Sequence, residues 1–396
     1  MGKLQLKRRS SLVLIAALVL VAVTAGLVCA ATIKQMQVRP ELAIRQVPEK
    51  VIQLPEARLL QVKRGKQVAD VNVLKQTYLV RNGIPFIRGA EGEEFELIPL
   101  SKMEYTPSQA EITLATRLPG KVVRYAPYIN AGAVITEIPD VVDHRSEQTP
   151  VKNQSGRGTC VCFASMAGLE VEYGGGSLDL SENYANYLYM KAEGRVCKDD
   201  GLQTHMSADY LTDHGVCTES VCPYQTSFPG FCNNGANPAP TQRANAQAHS
   251  PYKIKSYQKT FRNDSLTTDT GVWINNPRYL EAVLRSGKDI VFGTHVAGWT
   301  YPYTGVLDVK LTSGGNPLPS VGGHAMLVVG YNRLQEYFIV KNSWGTNKGQ
   351  SGYLYLSYDY IRTYAKYGYV INEVEPVAIQ ALRPMLRAIP LMVPSD

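Results

Sequence analysis

Residues 160–173 (CVCFASMAGLEVEY) are apolar on nearly every side, the pattern of a helix buried in the middle of a domain, and three glycines at 174–176 end it. Thr159 stands where it can cap the start, which puts Cys160 in the first turn. Further helices are predicted over 181–192, over 206–213 with Gly215 after it, and over 277–285, where Pro277 opens the helix and Gly287 follows it. Runs rich in β-branched and aromatic residues then predict strands over 290–296, 325–331, 336–341, 352–358 and 367–372. Helices first and strands afterwards favour an α+β domain over an alternating parallel sheet.

Upstream, 76–80 and 84–88 flank Asn82 and Gly83, a two-residue hairpin signal because both turn positions tolerate positive φ. Residues 95–100 and 111–116 read as further short strands, and 32–80, broken by Pro40, Pro48 and Pro55, read as linker-like. Nothing between 32 and 137 looks catalytic. After Glu375, Pro376, Pro384, Pro390 and Pro394 mark an extension. The chain therefore divides into 1–31, a small β or irregular region over 32–137, the α+β domain over 138–375, and a tail over 376–396.

The 396 residues carry a formal net charge of +7, which would suggest a nucleic-acid partner if it formed a patch. It does not: 32–137 holds 15 Lys and Arg against 11 Asp and Glu, whereas 138–396 is near neutral. Without a basic stripe, nucleic-acid binding is excluded as a reading. Lys3, Lys7, Arg8 and Arg9 precede an uncharged apolar run over 12–31, an export signal that is either cleaved or kept as a membrane anchor. Cys29 in that run raises a lipoprotein reading, which the bulk of Val28 disfavours. Either way the domain is expected outside the cytoplasm, secreted or periplasmic, touching a membrane only through the leader.

Loss of the leader removes Cys29 and leaves six cysteines, at 160, 162, 197, 217, 222 and 232, in a compartment that permits disulfides. The later four can form two bridges among themselves, leaving Cys160 and Cys162 as thiols. A thiol at a helix N-terminus lies in the positive end of the helix dipole, which favours thiolate and makes Cys160 a candidate nucleophile. A nucleophile needs a partner base. The strands over 325–331 and 336–341 are close enough in sequence to form an antiparallel hairpin, and its register sets His324 opposite Asn342 at the open end. An Asn carbonyl there would hold the imidazole in one tautomer, with Trp344 covering the hydrogen bond. His144, His205, His214, His249 and His295 lack any such context.

Residues 153–163 (NQSGRGTCVCF), Gly322–Ala325 (GGHA) and Lys341–Gly345 (KNSWG) together resemble the papain-type cysteine peptidases, in the same order, with the likeness reaching over about 138–375. The resemblance implies a two-lobed papain-like fold, with a helical lobe carrying the Cys and a β-rich lobe carrying the His and Asn. It further implies Cys160 as nucleophile, His324 as ion-pair partner and general acid/base, Asn342 as its orienter, and Gln154 as an oxyanion-hole donor beside the Cys160 N–H. Gly158, Thr159, Gly322, Gly323 and Trp344 would line the substrate cleft. The reaction would be peptide-bond hydrolysis through a thioester, on protein or peptide substrates, with no metal or organic cofactor.

Some positions depart from the family pattern. Arg157 stands where a Cys is common, which removes one family disulfide; Cys197 with Cys232, and Cys217 with Cys222, are the pairings left. Val161 replaces an aromatic, and Lys348 replaces another that often shapes the leaving-group side. The leading expectation is an exported zymogen whose 32–137 region inhibits the cleft. A catalytically silent peptide-binding protein and a transpeptidase or limited processing enzyme are the alternatives.

Overall fold

The computed structural model describes residues 67–89, 91–115, 139–195, 201–226 and 240–377. The leader, the 378–396 tail, Cys29, Cys197 and Cys232 lie outside the described residues, among which no helix is long and apolar enough to cross a membrane.

In chain order the elements are α1 (Val71–Thr77), β1 (Tyr78–Arg81), β2 (Ile84–Arg88), β3 (Glu94–Glu96), α2 (Leu100–Met103), α3 (Gln109–Ala115), β4 (Val141–Asp143), α4 (Cys160–Glu172), α5 (Glu182–Ala192), α6 (Ser207–Asp213) and α7 (Pro240–Ala248). They continue as β5 (Ile254–Phe261), α8 (Pro277–Arg285), β6 (Ile290–Val296), β7 (Val306–Leu307), β8 (Gly322–Asn332), β9 (Tyr337–Lys341), β10 (Tyr353–Ser357), α9 (Tyr358–Tyr364) and β11 (Ala365–Val374). The fold is α+β: an eight-stranded sheet, ordered β5-β11-β6-β8-β9-β10-β7 with β4 beside β8, carries the helices against its faces.

Helix α4 lies on the sheet with residues 160–170 buried, and it comes closest at Gly168, where an added Cβ would sit 3.0 Å from Val291 Cγ2 and 3.3 Å from Leu327 Cδ1. Glycine at that position is what lets the Cys160 helix cross the strands that carry His324. Helix α8 starts as expected, with Asn276 accepting from the Arg278 N–H and Pro277 at the first position. It packs with Val272, Trp299, Phe338 and Leu354 into a second apolar cluster distinct from the one around α4.

Three expectations are corrected. Of the strand expected over 111–116, residues 111–115 are described and are helical, in α3: Ser108 and Glu111 bond reciprocally through their side chains and backbone N–H groups at 3.0 and 3.2 Å. This is a capping box, and it outweighs the β-branched Ile112 and Thr113. The β8–β9 hairpin does form, but it pairs Leu327 with Lys341 and, past a bulge at Val329, Gly330 with Ile339, one to two residues from the expected register. Cys217 and Cys222 are free, buried thiols, so the bridge expected between them is not formed. Strand β5 and helices α7 and α9 have no counterpart among the predicted elements.

The region before the α+β domain is built onto it. Asn82 and Gly83 turn with φ of 52° and 79°, and β1, β2 and β3 form a small antiparallel sheet. From β3 the chain runs as an extended segment through Ile98 into α2, and α3 docks on β5, where the Gln258 amide donates to the Ala115 carbonyl at 2.7 Å.

Candidate active site

Cys160 opens α4 and is fully buried. Thr159 precedes it but does not cap the helix as expected: its hydroxyl is engaged with the Tyr224 hydroxyl at 2.6 Å, and Tyr224 also donates to the Gln154 carbonyl at 2.8 Å. The loop before the helix is stitched to the strand end beyond Asn342, with Gln154 N–H donating to the Ser343 carbonyl at 2.8 Å and Gly345 N–H to the Lys152 carbonyl at 3.1 Å. These bonds join the segment that leads into Cys160 to the one that carries Asn342 and Trp344.

His324 and Asn342 meet despite the shifted register, with His324 Nε2 2.8 Å from Asn342 Oδ1. The Ser343 N–H donates to the same Oδ1 at 2.8 Å, which identifies that atom as the carbonyl oxygen. An acceptor there requires the proton on His324 Nε2. Nδ1 is therefore the basic nitrogen, and it is buried without a partner among the described residues. Trp344 stacks on the imidazole at 4.5 Å between centroids, and Trp299 meets it edge-on at 6.2 Å. Gln154 is fully buried. Ser343 Oγ donates to its side-chain oxygen at 2.5 Å and its amide donates one proton to the Arg157 carbonyl at 2.8 Å, which leaves the second amide proton for an oxyanion. Ser343, unremarked in the sequence, thus fixes Gln154 and Asn342 together.

The cleft over these residues is filled by the chain itself. Ile98 and Gly323 exchange two backbone hydrogen bonds of 2.7 Å in an isolated antiparallel bridge, so the extended segment that follows β3 lies against Gly322 and Gly323, the two glycines the resemblance assigns to substrate. A Cβ on Gly323 would lie 2.1 Å from Met103 Sδ, and one on Gly322 would lie 2.9 Å from Leu97 Cβ, so only glycine admits the segment at these two positions. Phe95 stacks on Trp344 at 4.9 Å, and Glu93 makes an ion pair with the buried Lys348. Lys102 donates to the Gly201 carbonyl at 3.2 Å, and Gly201 N–H in turn donates to the Gly158 carbonyl at 2.9 Å.

This cover sets the electrostatics. Burial pushes the Cys160 thiol up to about 12, with the nearby Glu96 carboxylate adding to the rise and the Ala325 N–H opposing it. Burial also pushes His324 down to about 4, against the Asn342 hydrogen bond that favours its protonation. With the segment in place the two groups are a neutral thiol and a neutral imidazole, and the helix dipole anticipated from the sequence does not overcome burial.

A family profile described as "Papain family cysteine protease" matches residues 138–368. The chain belongs to the papain family of cysteine proteases. Relatives within it include "Cysteine proteinase 2" of Entamoeba histolytica, 30% identical over 55% of this chain and 63% of that one, and chymopapain of Carica papaya, 31% identical over 56% of each. The chain thus spans less than two thirds of the length of these papain-family relatives. Among solved structures, xylellain, a cysteine protease from Xylella fastidiosa, aligns with 79% of this chain and 100% of its own at 24% identity and a TM-score of 0.49.

Proposed function

We propose that the chain is an exported cysteine peptidase made as a zymogen, hydrolysing peptide bonds in protein or peptide substrates with Cys160, His324, Asn342 and Gln154. The observation that carries the reading is the orientation of His324: its Nε2 proton is held by Asn342, so the free Nδ1 lone pair is the one available to a thiol.

Once the segment has left, solvent and the helix N-terminus favour proton transfer from Cys160 to His324 Nδ1. The thiolate attacks the carbonyl carbon of an extended peptide lying along Gly322 and Gly323. The C–S bond forms as the carbonyl π pair moves to oxygen, where the Cys160 N–H and the spare Gln154 proton receive it. His324 gives its proton to the leaving amine as the C–N bond breaks, and then takes one from the water that hydrolyses the thioester.

Residues 32–137 act as the propeptide, and the part over 67–115 accounts for inhibition by filling the cleft and holding the pair neutral. Removal falls near the 125–140 stretch, and the leader over 1–31 directs export. A thiol-reactive peptide probe tests the assignment. It should label Cys160 in the processed chain at mildly acidic pH and fail to do so after His324→Ala; equal labelling of both would refute the roles of the pair.

A further inference from the structure

Lys348 is a buried lysine whose carboxylate partner comes from the segment over the cleft. Its side chain is 2% exposed, and among the described residues the one carboxylate within ion-pair distance is Glu93, which belongs to the segment over the cleft. Two other lysines with little exposure, half-buried Lys152 and buried Lys341, have their partners within the domain, carboxylates for the first and neutral oxygens for the second. Lys152 has Glu170, Asp179 and Glu182 around its amine, and Lys341 donates to the Thr149 carbonyl and hydroxyl at 2.8 and 2.9 Å. Besides Glu93, Lys348 has the face of Tyr301, 5.8 Å from its amine. When the segment leaves, the Lys348 amine loses its carboxylate partner, and an anion entering the cleft can take that place.

The position of Lys348 follows from the path of the segment. Glu93 meets Lys348, Phe95 meets Trp344, Glu96 acts electrostatically on Cys160, and Ile98 pairs with Gly323. Glu93 lies two residues before Phe95 on the same segment, so Lys348 stands on the Trp344 side of the cleft. A substrate following the same groove puts one side chain against it.

Building on the reading of the chain as a zymogen, we propose that Lys348 is a specificity-determining residue: with the segment gone, it selects peptides carrying a glutamate side chain in the subsite that Glu93 now fills. A bonded, desolvated charge pair of this kind discriminates against the uncharged isostere by roughly 10- to 100-fold.

The experiment uses the full chain, folded with its own N-terminal region and then cut at a sequence-specific protease site inserted within 116–138 and freed of the segment. Fluorogenic peptides in which Glu or Gln is scanned through three positions on each side of the cleaved bond are compared on this protein and on Lys348→Met. One position should favour Glu over Gln by about tenfold or more in kcat/KM, and Lys348→Met should bring that ratio to near one. A ratio that survives Lys348→Met, no position favouring Glu, or a substitution that only loosens the segment would each overturn the proposal. Fluorescence anisotropy of the same peptides on the cut Cys160→Ala chain reads the Lys348 subsite without turnover, so an enzyme that cleaves nothing refutes the peptidase reading and still leaves this one decided.

Discussion

Phe95→Ala separates a catalytic pair that is covered and neutral from one that is inert by construction. Phe95 is 3% exposed and stacks on Trp344 at 4.9 Å with an 18° interplanar angle, and Trp344 in turn covers His324. Truncating a buried ring of this kind costs about 3–5 kcal/mol, which includes the aromatic pair. Phe95 belongs to the segment and Trp344 to the domain, so the loss falls on docking and not on the α4–sheet core. Taking the lower bound, about 3 kcal/mol raises the uncovered fraction about a hundredfold. In the uncovered state the burial that holds Cys160 up to about 12 and His324 down to about 4 is relieved, so the thiol gains reactivity as well as access. The assay is the rate of Cys160 alkylation on the uncut chain by a small neutral reagent, followed by intact mass, with thermal unfolding as a control for the domain. A rise of about a hundredfold with an unchanged unfolding midpoint is expected. An unchanged alkylation rate would show that the segment is not what keeps Cys160 silent.

Other outcomes follow from the same geometry. Asn342→Ala in the processed chain should lower kcat by roughly 10- to 100-fold with little change in KM, because it removes a hydrogen bond to a group that becomes charged; an equal loss confined to KM would contradict the orienting role. His205 lies under Tyr105 of the segment, ring centroids 4.1 Å apart, with both nitrogens unpartnered among the described residues, and burial pushes it down to about 3. The covered state holds it neutral, so below its ordinary value near 6.5 the uncovered state takes up the extra proton, and covering weakens by up to about tenfold per pH unit as pH falls from about 6.5 towards 3. Amide exchange at Ile98, corrected for its intrinsic rate, should quicken over that range, and His205→Phe should make the response shallower, leaving the part contributed by His324. Glu111→Ala removes the capping box of α3 and should destabilise docking of that helix by about 1 kcal/mol, read as faster exchange of the α3 amides with no change at α4.

Much of the domain is legible in the sequence because local signals and burial agree there. Helix α8 has a capping Asn, an N-terminal Pro and a following Gly, and it falls at 277–285 as the pattern predicts. Strand β6 matches its predicted span because its β-branched and aromatic run is buried almost throughout. The His324–Asn342 contact follows even from a register that is off by one to two residues, since the bulge at Val329 cannot be read from strand ends alone. Helix α3 reads as a strand when Ile112 and Thr113 are given more weight than the Ser108–Glu111 box. Thr159 looks like a cap until Tyr224, 65 residues away in the chain, claims its hydroxyl. The alternation of Phe95 and Leu97 announces a strand, but nothing local says that its neighbour Ile98 pairs through its backbone with Gly323. Lys348 stands out as a departure from the family pattern, and its meaning depends on Glu93, 255 residues earlier.

The central claim is that Cys160 is a peptidase nucleophile held silent by the chain's own N-terminal region, and a time course of intact mass on residues 32–396 tests it most directly, wild type beside Cys160→Ala at mildly acidic and neutral pH. The wild type alone should shorten, to a start between about 125 and 143, and faster at the acidic pH. Both proteins remaining at full length, or both shortening alike, would contradict it.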